Sequence, residues 1–357
     1  MAKYRKYLEF LVLLLLAIAI IWWFGRRLDW GQVKLALQRS DWRLIAVASV
    51  IVLLGYLWRA IRWQALLAPL TKASLKEVWI ATTIGFAAVL LIGRAGEVVR
   101  PVVLPMRDPR VRPAASFVTI MVERLYDTIA VVSIFAINLL WLEPSAGSTE
   151  AFSRARALGW VLLGLLAVIV TTLILFRRRS AQVIAWLDRK VSGKAGFGAR
   201  LKRAVLSTLE QLATALSVLS NIRQLAISGG LSVLLWASVA VGNLLVCRAF
   251  GLSFGVPQVL FVMGWSMVGS AVPTPGGAAG AFHAATGAAL ILLGVARDQA
   301  AAVAIILHLV DFAPAALFGF FYFLRGDVNI GRLRALISVR AVEHAVEDEK
   351  VALAERA

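Results

Sequence analysis

Residues 270–285 read SAVPTPGGAAGAFHAA, and they interrupt one long apolar segment, with VLFVMGWSMVG before them and TGAALILLGV after them. Pro273 and Pro275 each remove a backbone donor and break a helix. Gly276 and Gly277 weaken a helix by roughly 1 kcal/mol each relative to alanine. In hydrocarbon, the freed backbone groups need partners inside the protein. The stretch therefore predicts two half-helices joined by a turn that lies within protein at membrane depth.

The composition is typical of an integral membrane protein. Of 357 residues, 60% are hydrophobic and only 16% are charged, against about 45–50% and about 25% in soluble domains. Apolar runs approach the ~20 residues that a spanning helix needs. We expect full spans at about 8–24, 43–60, 115–141, 158–176, 224–247 and 300–324.

The formal charge of +18 fits basic cytoplasmic loops beside anionic lipid better than nucleic acid, so no nucleic-acid partner is expected. Cys247 is the only cysteine, which rules out an intrachain disulfide.

Two apolar regions, 78–105 and 257–294, contain helix breakers and are predicted to be re-entrant hairpins. If 78–105 dips into the membrane and returns, the arginines of 107–112 remain on the cytoplasmic side, as the positive-inside rule favours. The second hairpin then enters from the opposite face. The predicted fold is an all-α polytopic membrane protein with about six full transmembrane helices and two oppositely oriented hairpins in an inverted repeat.

We expect a multi-pass protein of the bacterial inner membrane, and this topology predicts that both of its termini are cytoplasmic. Arg59, Arg62, Lys72 and Lys76 are assigned to a cytoplasmic loop after the second span. The segment 25–43 disagrees with the rule, because it is predicted outside although it carries five basic and two acidic residues.

The predicted domain organisation is simple. An integral transport domain covers residues 1–340 and includes a basic amphipathic segment, 180–222, on the cytoplasmic surface. Residues 341–357 form an exposed acidic tail.

The first hairpin has the tip GRAGEVVRP, with Arg94, Glu97 and Arg100. A charge at bilayer depth costs about 2.5–3.5 kcal/mol even on the lenient insertion scale. Two interpretations stay open. Arg94 and Glu97, three residues apart, could neutralise each other and lock the tip. Alternatively, the two arginines could offer forked donors to a phosphate, with Glu97 orienting one of them.

The motif VERLYD follows the first hairpin and carries Glu123, Arg124 and Asp127. Glu123 and Asp127 share a helix face, and Arg124 can reach Asp127 at three residues. The motif is either a structural charge lattice that ties helix to hairpin, or part of a gate or proton path.

At the second tip, Gly276 and Gly277 precede a half-helix whose N-terminal amides favour an anion; a bend for packing alone is the alternative. His283 lies on this half-helix, and His308 and Asp311 lie on the last span. These three side chains form either a proton relay or neutral, hydrogen-bonded packing groups.

No HxxxH or CxxC spacing supports a metal, and no catalytic nucleophile or cofactor motif is visible.

GRAGEVVRP, VERLYD, PTPGG and HLVDFAP together resemble the lysylphosphatidylglycerol synthase transmembrane family of flippase-like membrane proteins. The resemblance covers roughly residues 8–325. It implies movement of a lipid between leaflets, without the aminoacyl transfer that a separate soluble domain performs in bifunctional members. The motif positions it implies are Arg94, Glu97, Arg100, Glu123, Arg124, Asp127, Pro273, Pro275, Gly276 and Gly277. Many relatives carry an acidic residue where this chain has Phe282 and His283.

We therefore expect a flippase or transporter for an anionic lipid, either a phospholipid or a polyprenyl phosphate. One alternative is a membrane-embedded phosphatase or glycosyl-lipid transferase that uses Glu97, Glu123 or His308 as a general base. The other is a scaffold for lipid or envelope biosynthesis.

Overall fold

The computed structural model describes residues 28–141, 149–190, 222–272, 274 and 276–326, together with positions 22, 25, 26, 206, 209 and 213. Within these residues the regular elements are helices. A 3-10 helix, Gly93–Val98, separates α3 from α4. In chain order the α-helices are α1 (Trp30–Arg39), α2 (Trp42–Leu67), α3 (Leu75–Ile92), α4 (Val99–Arg107), α5 (Pro113–Trp141), α6 (Thr149–Lys190), α7 (Ile222–Ala249), α8 (Val256–Ser270), α9 (Ala279–Leu292) and α10 (Arg297–Leu324).

Among the described residues, five segments are long and apolar enough to cross a membrane: α2, α3, residues Arg156–Arg189 of α6, α7 and α10. Helix α5 is also long, with 29 residues, but three charged side chains interrupt its apolar sequence. These helices confirm the predicted class, an all-α polytopic membrane protein. The predicted first span, 8–24, lies outside the described residues.

The first broken region folds as a helical hairpin. Gly93 ends α3 with a φ of 65°, a conformation that glycine adopts without steric cost. At the other end of the hairpin, Arg107 Nε lies 2.5 Å from Glu77 Oε2. The Asp108 carboxylate accepts from the Ser74 backbone amide at 3.3 Å. These contacts join the start of α3 to the end of α4 at the open end of the hairpin, which we call the hairpin mouth.

The second broken region forms a second hairpin from α8 and α9. The two arms pack closely, because a Cβ added at Gly269 would lie 2.5 Å from the Ala281 carbonyl oxygen. Gly276, Gly277 and Ala278 turn the chain with φ values of 75°, 62° and 63°. Pro273 and Pro275 lie outside the described residues.

Helices α2 and α7, which precede the two hairpins, pack antiparallel along their lengths. At one end the Asp41 amide donates to the Ala249 carbonyl at 2.9 Å. At the other end Gln224 Nε2 donates to the Ala65 carbonyl at 3.4 Å. Between these contacts, Gly242 of α7 packs directly on Val52 of α2.

The two hairpins open at opposite ends of α2, which is roughly 39 Å long at 1.5 Å per residue. At one end, Thr71 donates to the Arg110 carbonyl at 2.6 Å, beside the first hairpin mouth. At the other end, the Asp29 amide donates to Asp298 at 3.1 Å, beside the second.

Three predicted boundaries were wrong. The second span does not end at 60, because α2 continues to Leu67. The segment 25–43 is no simple loop, since Asp29 caps the helix α1 within it. The span predicted at 158–176 was started too late, because α6 begins at Thr149; the kink of α6 at Arg179 lies between that span and the predicted segment 180–222. Residues 191–205 and the tail 341–357 lie outside the described residues.

Candidate functional site

The tips of the two hairpins meet in the interior. A Cβ added at Gly277 would lie 3.5 Å from Leu90 Cδ1 of the first hairpin and 3.5 Å from Phe312 Cδ1 of α10. A cavity of about 560 Å³ extends from this junction. Its polar lining includes Arg59, Glu97, Arg124, Asp127 and Asp311.

The rest of the cavity is largely apolar. Val131 and Phe135 of α5, Leu158 and Leu162 of α6 and Val239 of α7 are among its lining residues. The cavity therefore combines a charged end with a hydrocarbon-like wall.

Arg59 and Arg62 are functional-site residues that the sequence reasoning missed. Their assignment to a cytoplasmic loop was wrong, because both lie within α2 and are buried. The available signal was their i,i+3 spacing together with the continuing apolar stripe of Trp63, Leu66 and Leu67. Since α2 is longer than predicted, these guanidinium groups lie at the depth of the hairpin tips.

Both arginines of α2 bind acidic side chains of α5. Asp127 holds Arg59 Nη1 through Oδ2 and Arg62 Nη2 through Oδ1, each at 2.7 Å. Arg59 Nη1 also lies 3.3 Å from Glu123 Oε1. Arg62 Nη1 donates to Ser232 Oγ of α7 at 2.7 Å. The Asp127 carboxylate thus joins α2 to α5, and Arg62 extends the network to α7.

Arg100 of the first hairpin binds Glu123 with both terminal nitrogens. Nη1 lies 2.5 Å from Oε1, and Nη2 lies 3.0 Å from Oε2. The guanidinium carbon lies 4.4 Å from the centroid of the Trp63 ring, a cation–π contact. The aliphatic stem crosses Gly85, where an added Cβ would lie 2.7 Å from Arg100 Cγ. Arg100 is therefore a fixed link between hairpin and α5.

Arg124 and Glu97 differ from the rest of the network in exposure. Their side chains are 36% and 34% exposed, whereas that of Glu123 is fully buried. Arg124 Nη2 lies 2.9 Å from Glu123 Oε1 and 3.4 Å from Asp127 Oδ2, which confirms the predicted contact with Asp127. Arg124 Nη1 lies 3.8 Å from Glu97 Oε1 across the junction of tip and α5.

We call this set the charge network. Its described side chains are Arg59, Arg62, Glu97, Arg100, Glu123, Arg124 and Asp127. Four arginines against three carboxylates leave one formal positive charge at neutral pH. Buried charges are retained only when they are paired and hydrogen-bonded. Of the four arginines, Arg59 and Arg124 line the large cavity.

His283 and His308 form a separate cluster beside the second tip. The rings of His283 and His308 have centroids 4.9 Å apart, and Phe312 lies 4.9 Å from His308. His308 Nε2 lies 3.3 Å from the Gly277 carbonyl oxygen. The predicted contact between the two histidines is therefore present, and it joins α9 and α10 to the tip.

Asp311 does not continue this cluster. With the Asn243 amide turned so that its nitrogen faces the carboxylate, that nitrogen lies 3.0 Å from Asp311 Oδ1. Tyr56 donates to the Asp311 backbone carbonyl at 2.6 Å. Asp311 thus links α10 to α7 and α2 and faces the cavity.

The structure brings most of the predicted residues together around the junction of the tips. Glu97, Arg100, Glu123, Arg124 and Asp127 form one network, in which Arg100 binds Glu123; the orientation of a tip arginine by Glu97 stays a prediction. The side chain of Arg94 lies outside the described part of the chain. Within the described residues, no group of three or more His, Cys, Asp or Glu side chains could hold a metal ion.

Glu123 is poorly suited to the predicted alternative role of general base. Its oxygens are engaged by Arg59, Arg100 and Arg124, so they hold the arginines in place. A base must instead reach the proton that it abstracts.

No curated protein matches the chain. A family profile described as the lysylphosphatidylglycerol synthase TM region matches residues 10–319, which include both hairpins, the charge network and the cavity, and the chain therefore belongs to this family.

Proposed function

We propose that the protein moves a lipid with an anionic phosphate headgroup between the two leaflets of the membrane. The observation that carries the proposal is the amphipathic cavity at the junction of the two tips. Its charged end includes Arg59 and Arg124, and its wall is built from residues such as Val131 and Leu162. This combination suits a ligand with a charged head and hydrocarbon tails. Phospholipids and polyprenyl phosphates share that chemistry.

The volume of the cavity supports a headgroup-binding role. About 560 Å³ lies within the range of about 300–1,000 Å³ that is typical of ligand sites. Arg59 and Arg124 offer guanidinium groups to the cavity, and arginine forks match the geometry of phosphate. The acyl chains of such a substrate extend along the apolar wall towards the bilayer.

We propose that the hairpins are re-entrant and form an inverted repeat. Their mouths lie at opposite ends of α2, as the Thr71–Arg110 and Asp29–Asp298 contacts indicate. The helix contacts are also reciprocal. The first arm of each hairpin packs on the helix that follows the other, α3 on α10 and α8 on α5, while α2 packs on α7. Transporters of this design alternate access by moving one repeat against the other.

In this proposal the protein lies in the bacterial inner membrane with its termini in the cytoplasm. The first hairpin mouth then faces the cytoplasm, where Lys72, Lys76 and Arg110 agree with the positive-inside rule. The name of the family includes a lipid, lysylphosphatidylglycerol, which is consistent with a lipid substrate.

Leaflet exchange in proteoliposomes tests the proposal. Purified full-length protein is reconstituted with a headgroup-labelled anionic phospholipid or a labelled polyprenyl phosphate, and a membrane-impermeant quencher reports the outer leaflet. We expect exchange to be faster than in protein-free vesicles and slower in an Arg124→Gln variant. If no anionic lipid exchanges faster than in the empty vesicles, the proposal is wrong.

A further inference from the structure

Within the charge network, Arg124 and Glu97 stand apart from a core whose two carboxylates are already paired without them. Arg59, Arg62 and Arg100 surround Glu123 and Asp127 at distances of 2.5 to 3.7 Å. That core holds three cations and two anions, so its carboxylates remain paired if Arg124 turns away.

The contact between Arg124 and Glu97 is also the loosest of the network. Nη1 and Oε1 are 3.8 Å apart, and about a third of each side chain is exposed. Both residues line the large cavity. An ion pair of this kind contributes little, because solvent screens it. A phosphate can therefore compete with the Glu97 carboxylate for Arg124. It could not compete with Glu123 for Arg100, because that contact is bidentate.

The surroundings of Arg124 can accept further polar atoms. Arg100 Nε and Arg124 Nε make no hydrogen bond to the described residues. A small cavity of about 20 Å³ is lined by Glu97, Arg100 and Arg124 among others, which is enough for about one water-sized oxygen. Donors and space are therefore available beside the pair.

We infer that the lipid phosphate replaces Glu97 as the partner of Arg124, so that Glu97 occupies the phosphate position in the empty protein. This inference rests on the proposed function and deepens it, because it assigns the headgroup contact to Arg124. Glu97 belongs to the 3-10 helix at the first tip and Arg124 to α5. Phosphate binding consequently removes one link between the tip and α5, while Arg100 keeps the other.

Binding of phosphatidic acid to the full-length protein in maltoside micelles, which contain no phosphate, tests the exchange. Glu97→Gln removes the competing carboxylate, and we expect it to tighten binding by roughly 2–5-fold. Arg124→Gln removes the cation, and we expect about tenfold weaker binding or more. Glu77→Gln is the matched control, because Glu77 forms an ion pair with Arg107 at the mouth of the same hairpin. Its affinity should equal that of the native protein.

Exchanging the two charges distinguishes this inference from the alternative that the ion pair between Arg124 and Glu97 only stabilises the fold. The double variant Glu97→Arg/Arg124→Glu restores an ion pair but not the phosphate contact, so we expect its binding to stay as weak as that of Arg124→Gln. Recovery of native affinity would overturn the inference. Arg124→Lys, which keeps the charge but loses the fork, should bind with intermediate affinity and serves if Arg124→Gln does not fold.

The remaining outcomes distinguish the exchange of Glu97 for a phosphate from the proposed lipid transport. If the native protein binds phosphatidic acid and Glu97→Gln binds no more tightly, the exchange is wrong and the proposed transport stands. If the native protein binds no phosphate lipid, both are wrong. A parallel titration with inorganic phosphate identifies the source of the anion. We expect no binding at the concentrations that saturate with lipid, and equal affinity would overturn the lipid assignment.

Discussion

Glu123 shows how strongly one buried residue can depend on its partners. Its carboxylate is fully buried and lies within 3.3 Å of Arg59, Arg100 and Arg124. Glu123→Gln keeps the shape but removes the charge, which leaves buried guanidinium groups uncompensated. We expect a loss of about 3–5 kcal/mol of stability, measured as a lower melting temperature in detergent. Glu77→Gln, at the hairpin mouth, breaks a single partly buried ion pair with Arg107 and should cost less than Glu123→Gln, and equal losses would contradict the assignment.

Asp311 offers a contrasting prediction at the same scale. Its described side-chain partner is the neutral amide of Asn243, and an asparagine oxygen accepts that hydrogen bond as well as a carboxylate does. Asp311→Asn should therefore change the stability by less than about 1 kcal/mol. A loss comparable to that of Glu123→Gln, in the same thermal assay, would mean that the Asp311 charge is structurally required.

The packing of the helices depends on a few positions where two backbones approach each other closely. A Cβ added at Gly319 of α10 would overlap the Thr83 carbonyl oxygen of α3. Gly319→Ala therefore has to push the two helices apart, and we expect it to destabilise the protein by about 1–3 kcal/mol. The control is Gly229→Ala on α7, where the added Cβ meets nothing within 4 Å. That variant should be as stable as the native protein or slightly more stable, and two equal melting temperatures would refute the packing.

For the whole molecule, the relative orientation of the hairpins can be tested by sidedness. Arg110 lies in the link between α4 and α5, and Ser253 lies in the link between α7 and α8. Arg110→Cys and Ser253→Cys, made in a Cys247→Ala background, should react with an impermeant maleimide from opposite sides of oriented vesicles. If both cysteines react from the same side, the inverted arrangement is excluded and the two-leaflet mechanism with it.

Much of the architecture could be predicted because its signals are local. Apolar runs of spanning length mark the helices, and Gly93 and the PTPGG stretch mark the breaks, since the effect of proline and glycine on the backbone does not require distant contacts. The contact between Arg124 and Asp127 was also predictable, because three residues along a helix bring side chains to one face. The end of α2 was missed because arginines were taken as a loop signal.

The sequence by itself determined that the chain is a polytopic helical membrane protein with two broken regions and charges at the tip of the first. Tertiary structure alone decided which charges pair between different helices. Arg59 and Asp127 are 68 residues apart in the chain, and Arg100 binds Glu123 across two helices. Such pairs arise from the packing of α2, α4 and α5, and no local pattern encodes them. The physical reason is that backbone conformation responds to neighbouring residues, whereas a buried charge is stabilised by whatever the fold brings within a few ångströms.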